Sequence, residues 1–219
     1  DANLAEFLDD NDLALLAETL TESVESDTDA RKEWAETYVK GLGVLGFNIE
    51  ERSEPWEGAC GVYSNVLAEA AIRFQAEAMS ETFPAAGPVR TKVIGEEDKD
   101  KINAADRVRA DMNYELTEKM VEYRSEHERL LYSLGLAGSA FKKVYFDPNL
   151  GRQVAMYIPA EDVIVPYGAS NIETAERVTH VMRKTENELR RLQASGFYRE
   201  VELGEPQRYR NDIEEKKEE

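Results

Sequence analysis

The sequence predicts an α+β fold, with long helices packed beside a small antiparallel β-rich subdomain. Apolar residues recur at steps of three and four through most of the stretch ending at Leu134, which is helical periodicity. Beyond Gly138 the pattern changes to short alternating stretches separated by turn residues, which is the signature of strands and hairpins. With 219 residues, 42% of them hydrophobic, the chain is long enough to bury a core as one large domain or two small ones.

Leu13, Leu16, Ala17, Leu20 and Val24 mark the first helix, with Asp10 or Asn11 as its cap. A second is expected from Thr28 to Lys40, with Ala30, Trp34, Tyr38 and Val39 on one side and Gly41 and Gly43 as its stop. A third runs from Ser64 to Thr82 on a stripe of Leu67, Ala70, Ala71, Phe74 and Ala78, and ends at Pro84 and Pro88. A short strand, Val89 to Ile94, follows it. The longest element is a helix over 102–134, where Ile102, Ala105, Val108, Met112, Leu116, Met120, Tyr123, His127, Leu130 and Leu134 step by three or four without a proline or glycine. A straight rod of that length would measure about 50 Å, which calls for an extended shape or a kink. Its outer face alternates Glu118, Lys119, Glu122, Arg124, Glu126, Glu128 and Arg129, read as solvated charges.

Gly135-Leu136-Ala137-Gly138-Ser139 ends that helix. Ala140 to Phe146 and Arg152 to Ile158 then form a β-hairpin around the turn residues Asp147-Pro148-Asn149-Leu150-Gly151. Asp162 to Val165 reads as a third strand and Ala175 to Lys184 as a fourth. Thr185-Glu186-Asn187-Glu188 is a capping box that opens a helix ending at Gly196. The divisions are an acidic helical region at 1–54, a helical portion at 55–138, the hairpin, short strands and capped helix at 139–200, and a charged tail at 201–219. The last residues of that tail hold one apolar side chain, Ile213, with nothing to pack against. The chain opens at Asp1 rather than Met and closes on this tail, so it reads as a piece of something longer.

The chain carries 45 acidic and 27 basic residues, a formal charge of −18, which argues against a basic domain that grips nucleic acid. Residues 1–60 hold 16 acids against 4 bases, so most of the excess lies in the first quarter, as a solvated face or a deliberately acidic surface. The single cysteine, Cys60, excludes an internal disulfide and a multi-cysteine zinc site. No apolar run reaches the roughly 18–20 residues that span a bilayer, and the acidic first residues do not resemble a secretory leader, so an intracellular protein without membrane contact is expected.

No catalytic constellation emerges, and no enzyme activity, cofactor or metal is expected. Gly138-Ser139 lacks the glycine-flanked serine elbow, and only His127 and His180 are present to serve as a base. His127 lies on the apolar stripe with Arg124, Tyr123 and Leu130 one turn away, a setting for a hydrogen-bonded structural histidine rather than a ligand. Gly41-Leu42-Gly43-Val44-Leu45-Gly46 matches the dinucleotide fingerprint, but a helix precedes it and Pro55 and acids follow, so a turn between packed elements is the better reading. Trp56 and Tyr63, beside Cys60, are either core or an interface anchor, because aromatics dominate buried contacts.

Trp56-Glu57-Gly58-Ala59-Cys60 leads into Leu67-Ala68-Glu69-Ala70 and Phe74-Gln75-Ala76. Met112-Asn113-Tyr114, Glu126-His127-Glu128-Arg129-Leu130-Leu131 and Gly138-Ser139-Ala140-Phe141-Lys142-Lys143-Val144-Tyr145 follow. The sharpest stretch is Pro159-Ala160-Glu161-Asp162-Val163-Ile164-Val165-Pro166-Tyr167-Gly168-Ala169, then Arg177-Val178-Thr179-His180. In order and spacing these resemble the N-terminal, wing portion of portal proteins of short-tailed bacteriophages, over roughly residues 55–200. The resemblance implies a ring-forming head-to-tail connector at one capsid vertex of the virion, assembled in the host cytoplasm as a homo-oligomer of about twelve subunits. It implies contact with the major capsid protein, the terminase motor and tail adaptor proteins. It also implies passage of double-stranded DNA in packaging and ejection, without sequence-specific binding. A ring needs a head-to-tail subunit interface. The candidates for it are Trp56, Tyr63, Met112, Tyr114 and Tyr123. The alternatives are an acidic structural or scaffold protein without a DNA channel, and a nucleotide-dependent enzyme using Gly41–Gly46.

Overall fold

The computed structural model describes residues 7–45, 56–59, 64–148, 150–206 and 213. The architecture is α+β, as predicted, and its contacts group the chain into two compact units. One joins residues 1–39 to residues 161–219; the other is residues 40–160. The hairpin therefore shares a unit with the helices before it, while the segment after it belongs with the N-terminal helix.

In the second unit, α3 (Val66–Thr82) packs on α5 (Tyr123–Ala137), and α5 packs on the hairpin. Gly135 lies inside α5, which runs on to Ala137, and a Cβ there would sit 3.4 Å from the Phe74 ring of α3. Gly138, at φ +75°, is the residue that stops the helix, with its N–H donating to Leu134 O at 3.1 Å.

The hairpin is β1 (Phe141–Asp147) against β2 (Arg152–Ile158), antiparallel, with Phe141 opposite Ile158 and Asp147 opposite Arg152. Val154, Ala155 and Ile158 are buried, together with Leu131 and Ala137 of α5.

The expected single helix over 102–134 is two. The helix α4 (Lys99–Tyr114) passes into a π turn, Glu115–Lys119, and stops at Met120 before α5 begins. The Met120 N–H donates to Glu115 O at 2.8 Å, and Met120 itself takes φ −90°, ψ 69°, outside helical backbone. No proline or glycine causes this break. Met120 is only 3% exposed, so its burial holds the chain at the bend while α4 and α5 present different faces.

The strand expected at 89–94 is also absent as a strand. The segment pairs with no strand among the described residues, and the α4 side takes up its polar groups. The Val89 N–H donates to Asn113 Oδ1 at 2.9 Å, Asn113 Nδ2 donates to Val89 O at 3.3 Å, and the Thr91 hydroxyl donates to Ala105 O at 3.0 Å. The Asn113 carboxamide fills the space a Cβ at Gly87 would need, and Gly87 has φ +95°, so both sterics and backbone demand glycine there.

In the first unit, α1 (Asp10–Ala30) is capped by Asp9, whose Oδ1 accepts from the Asn11 and Asp12 N–H groups at 2.9 and 2.8 Å. The cap is one residue earlier than expected. The next helix, α2 (Lys32–Leu45), starts later than expected and runs through Gly41 and Gly43 rather than stopping at them. Neither glycine has a neighbour within 4 Å of a built Cβ, so nothing at these positions forces a stop. Trp34 and Tyr38 stack at 5.3 Å one turn apart, and Ala35 is fully buried.

The third and fourth strands shrink to β3 (Val163–Ile164) and β4 (Thr179–His180), paired antiparallel. The capping box is present as predicted: Glu188 N–H donates to Thr185 Oγ1 at 3.3 Å and Thr185 N–H to Glu188 Oε2 at 2.8 Å, opening α6 (Glu186–Ala194). Ile213, expected to have nothing to pack against, is fully buried. No helix among the described residues is long and apolar enough to cross a membrane.

Two arginines close the first unit across most of the sequence. Arg177 grips Asp27 through Nε at 3.1 Å and Nη2 at 3.0 Å. Arg31 donates to Glu161 O at 2.9 Å and Val163 O at 3.1 Å, and its guanidinium lies 5.5 Å from the Trp34 ring centre. Asp27 is 7% exposed, so a lone charge left there is costly. Replacing Arg177 with Met is expected to destabilise this unit by about 3 kcal/mol, whereas Asp27→Leu with Arg177→Met should cost much less. Hydrogen exchange at the Val163 and Ile164 amides in the two variants measures the difference.

Candidate functional site

The densest set of polar contacts in the second unit lies where α5 meets the hairpin. A strand at the side of a sheet carries unpaired N–H groups. On β2, two of these are met by carboxylates of α5. Glu122, the residue before α5, accepts from Ala155 N–H at 3.3 Å through Oε1, and Glu126 accepts from Tyr157 N–H at 2.7 Å through Oε2. Arg152 Nη1 donates to the same Glu122 Oε1 at 2.9 Å. That guanidinium hydrogen bond, helped by the Ala155 N–H, holds the Glu122 carboxyl below the usual carboxylate range against the opposing effect of burial. Both acids were expected on a solvated face. Instead they are half-buried and accept from the N–H groups of β2.

A second cluster sits one turn along. His127 Nε2 lies 2.9 Å from Thr82 Oγ1, and His127 Nδ1 lies 3.1 Å from Lys142 Nζ. Tyr123 stacks on the His127 ring at 6.0 Å and takes the Lys142 ammonium on its face at 4.1 Å. The expectation of a hydrogen-bonded histidine holds. Burial pushes the His127 imidazole below its ordinary value, with Lys142 adding to the effect, and burial also pushes Lys142 down. Beside this cluster a shallow groove of about 350 Å³ runs along α3, floored by Ile72, Ala76, Met79 and Phe83, with Arg124 and Glu128 on its rim. The Arg124 guanidinium lies 5.6 Å from the Phe83 ring centre. Among the described residues no cluster of His, Cys, Asp and Glu has the arrangement to hold a metal ion.

Of the five residues singled out for an interface, four lie among the described residues. Trp56 is 67% exposed, which removes it from the core. Tyr63 lies outside the described residues. Met112 and Tyr114 are both exposed on α4 but stand two positions apart, so they point to different sides of the helix. Tyr123 is half-buried and engaged by His127, Lys142 and Phe83. What α4 does present is an uncovered stripe: Ile102, Val108 and Met112 are 43%, 50% and 46% exposed, and the helix buries no residue. The residues missed from the sequence are Glu122, Glu126, Arg152 and Lys142. Their only signal was two carboxylates four apart before a strand pair, a spacing that also describes any solvated helix.

No protein-family model matches the chain, and no curated protein is significantly similar to it.

The folded-state shift of Glu122 is downward, so its contribution to stability is complete above pH 4.5 and fades as pH falls below that value. Glu122→Gln is expected to lose about 1–3 kcal/mol near neutrality and to flatten the dependence of stability on pH between about 3 and 5. Urea unfolding of both proteins across that range checks the sign and the size.

Proposed function

We propose that this chain is the wing portion of a bacteriophage portal, a ring-forming head-to-tail connector through which double-stranded DNA is packaged and ejected. In this reading it works by assembly, in a homo-oligomer of about a dozen subunits at the capsid vertex. It carries no active site. Its partners are the major capsid protein, the terminase motor and the tail adaptors, and it contacts no membrane.

The observation that carries the reading is the uncovered apolar stripe of α4. A helix that buries none of its residues gains little from tertiary packing within its own chain, and the exposed apolar side chains of α4 are available to a partner. A repeated subunit contact is one way to cover it. Long helices beside a small hairpin, in the order in which the sequence resembles portal wings, are compatible with it. The charge of −18 is compatible as well: acidic surfaces near DNA repel phosphate and favour sliding over sticking, within a screening length of about 8–10 Å.

Native mass spectrometry and single-particle imaging of the full-length polypeptide test this. A closed ring of about twelve copies with an axial hole is the expected result. Val108→Glu and Met112→Glu alter exposed positions, so they should leave the monomer's thermal unfolding unchanged and abolish the ring. A polypeptide that stays monomeric or dimeric even with its capsid protein present would leave an acidic structural protein without a channel.

A further inference from the structure

The cluster at His127 has a hydrogen-bond logic that assigns its protons. The Thr82 hydroxyl donates to Ala78 O at 2.7 Å, so toward His127 Nε2, at 2.9 Å, it offers only lone pairs. The hydrogen of the ring therefore sits on Nε2. His127 Nδ1 is then bare and accepts from Lys142 Nζ at 3.1 Å. The amine keeps its proton in this pair because its ordinary pKa, 10.5, lies far above the 6.5 of histidine. The ammonium is held by the face of Tyr123 at 4.1 Å and by the field of Glu126.

We propose that His127 is a proton-operated latch joining α3, α5 and β1. As a neutral Nε2–H tautomer it donates to Thr82 at the end of α3 and accepts from Lys142 at the start of β1, so one ring ties three elements. Protonation puts a hydrogen and a positive charge on Nδ1, facing an ammonium 3.1 Å away. The link to β1 then becomes a repulsion. Among the described residues the ring nitrogens bond to Thr82 and Lys142 and to no carboxylate. The groups that bear on it are Tyr123 and Glu126 of α5 and Lys142 of β1, while α3 presents the uncharged Thr82. Glu126 already accepts from Tyr157 N–H, and the hairpin's Arg152 is bonded to Glu122. Acid therefore loosens β1 where Lys142 leaves, while β2 stays held by the two carboxylates.

The sign follows from proton linkage. The opened form binds a proton at His127 more readily than the closed form. Opening is thus independent of pH above about 6.5 and grows more favourable as pH falls below it. The gain is about tenfold for each unit by which the His127 midpoint lies below that of free histidine.

The test is a pH titration of the full chain labelled in its histidine rings, with amide hydrogen exchange read in parallel at pH 8 and 5. The expected results are an Nε2–H tautomer at neutral pH, a midpoint below that of free histidine, and selective loss of protection at Phe141–Lys143. Lys142→Met should raise the midpoint and remove the acid-linked loss. His127→Gln can donate to Thr82 and accept from Lys142 at every pH, so it should give equal protection of β1 at both values. An Nδ1–H tautomer, a midpoint at or above that of free histidine, or a pH-dependent loss that persists in His127→Gln would each overturn the proposal.

Discussion

The second unit depends on a match of two lattices. Carboxylates four residues apart on a helix are separated by about 6.0 Å along its axis, and alternate N–H groups on one side of a strand by about 6.6–6.8 Å. Glu122 and Glu126 use that near-coincidence to satisfy Ala155 and Tyr157, which sit at the side of β2 away from β1. The pattern stops at two contacts because the next position on that face of α5 is the apolar Leu130 and the residue two beyond Tyr157 is Pro159, which has no N–H. Much else follows from this seating. Arg152, at the start of β2, shares the Glu122 charge. With α5 so placed, His127 comes within reach of Lys142.

The first unit is held differently. Its helix α1 and its C-terminal segment are far apart in sequence and meet through Asp27 with Arg177 and through Arg31 with two carbonyl groups. Arginine suits both tasks, because its planar fork can bind a carboxylate in two places or bridge successive backbone oxygens. The β3–β4 ladder is only two residues long on each side, so the cross-chain arginine contacts carry a large share of its positioning.

Local chemistry was legible in the sequence where it determines structure by itself. The hairpin ends and the Thr185–Glu188 box were found because turn residues and caps act within a few positions. Helical periodicity located α1 and α3 for the same reason, and it found the helical character of 102–134 but not its division into α4 and α5. What failed needed partners distant in sequence. The break at Met120 has no local breaker and comes from burial against other elements. Gly41 and Gly43 look like a stop, but glycine only weakens a helix, and α2 runs through both. The stretch at 89–94 has strand composition but meets a side-chain amide instead of a strand. The acids at 122 and 126 were indistinguishable from solvated charges because a one-turn spacing is common to both. Of the interface candidates, Trp56, Met112 and Tyr114 are exposed and Tyr123 is half-buried against His127 and Lys142.

The helix–strand match also sets where this part of the chain can change length. One residue inserted between Glu122 and Glu126 would swing one carboxylate about 100° away from β2. One inserted between Ala155 and Tyr157 would turn an N–H from the carboxylates toward β1. Residues added at 148–151 disturb neither spacing, because the turn lies beyond both contacts. Within the α5–hairpin part of the chain the hairpin tip is therefore the place where added residues cost least, and a tag or a fluorophore placed there leaves the α5–β2 seat intact.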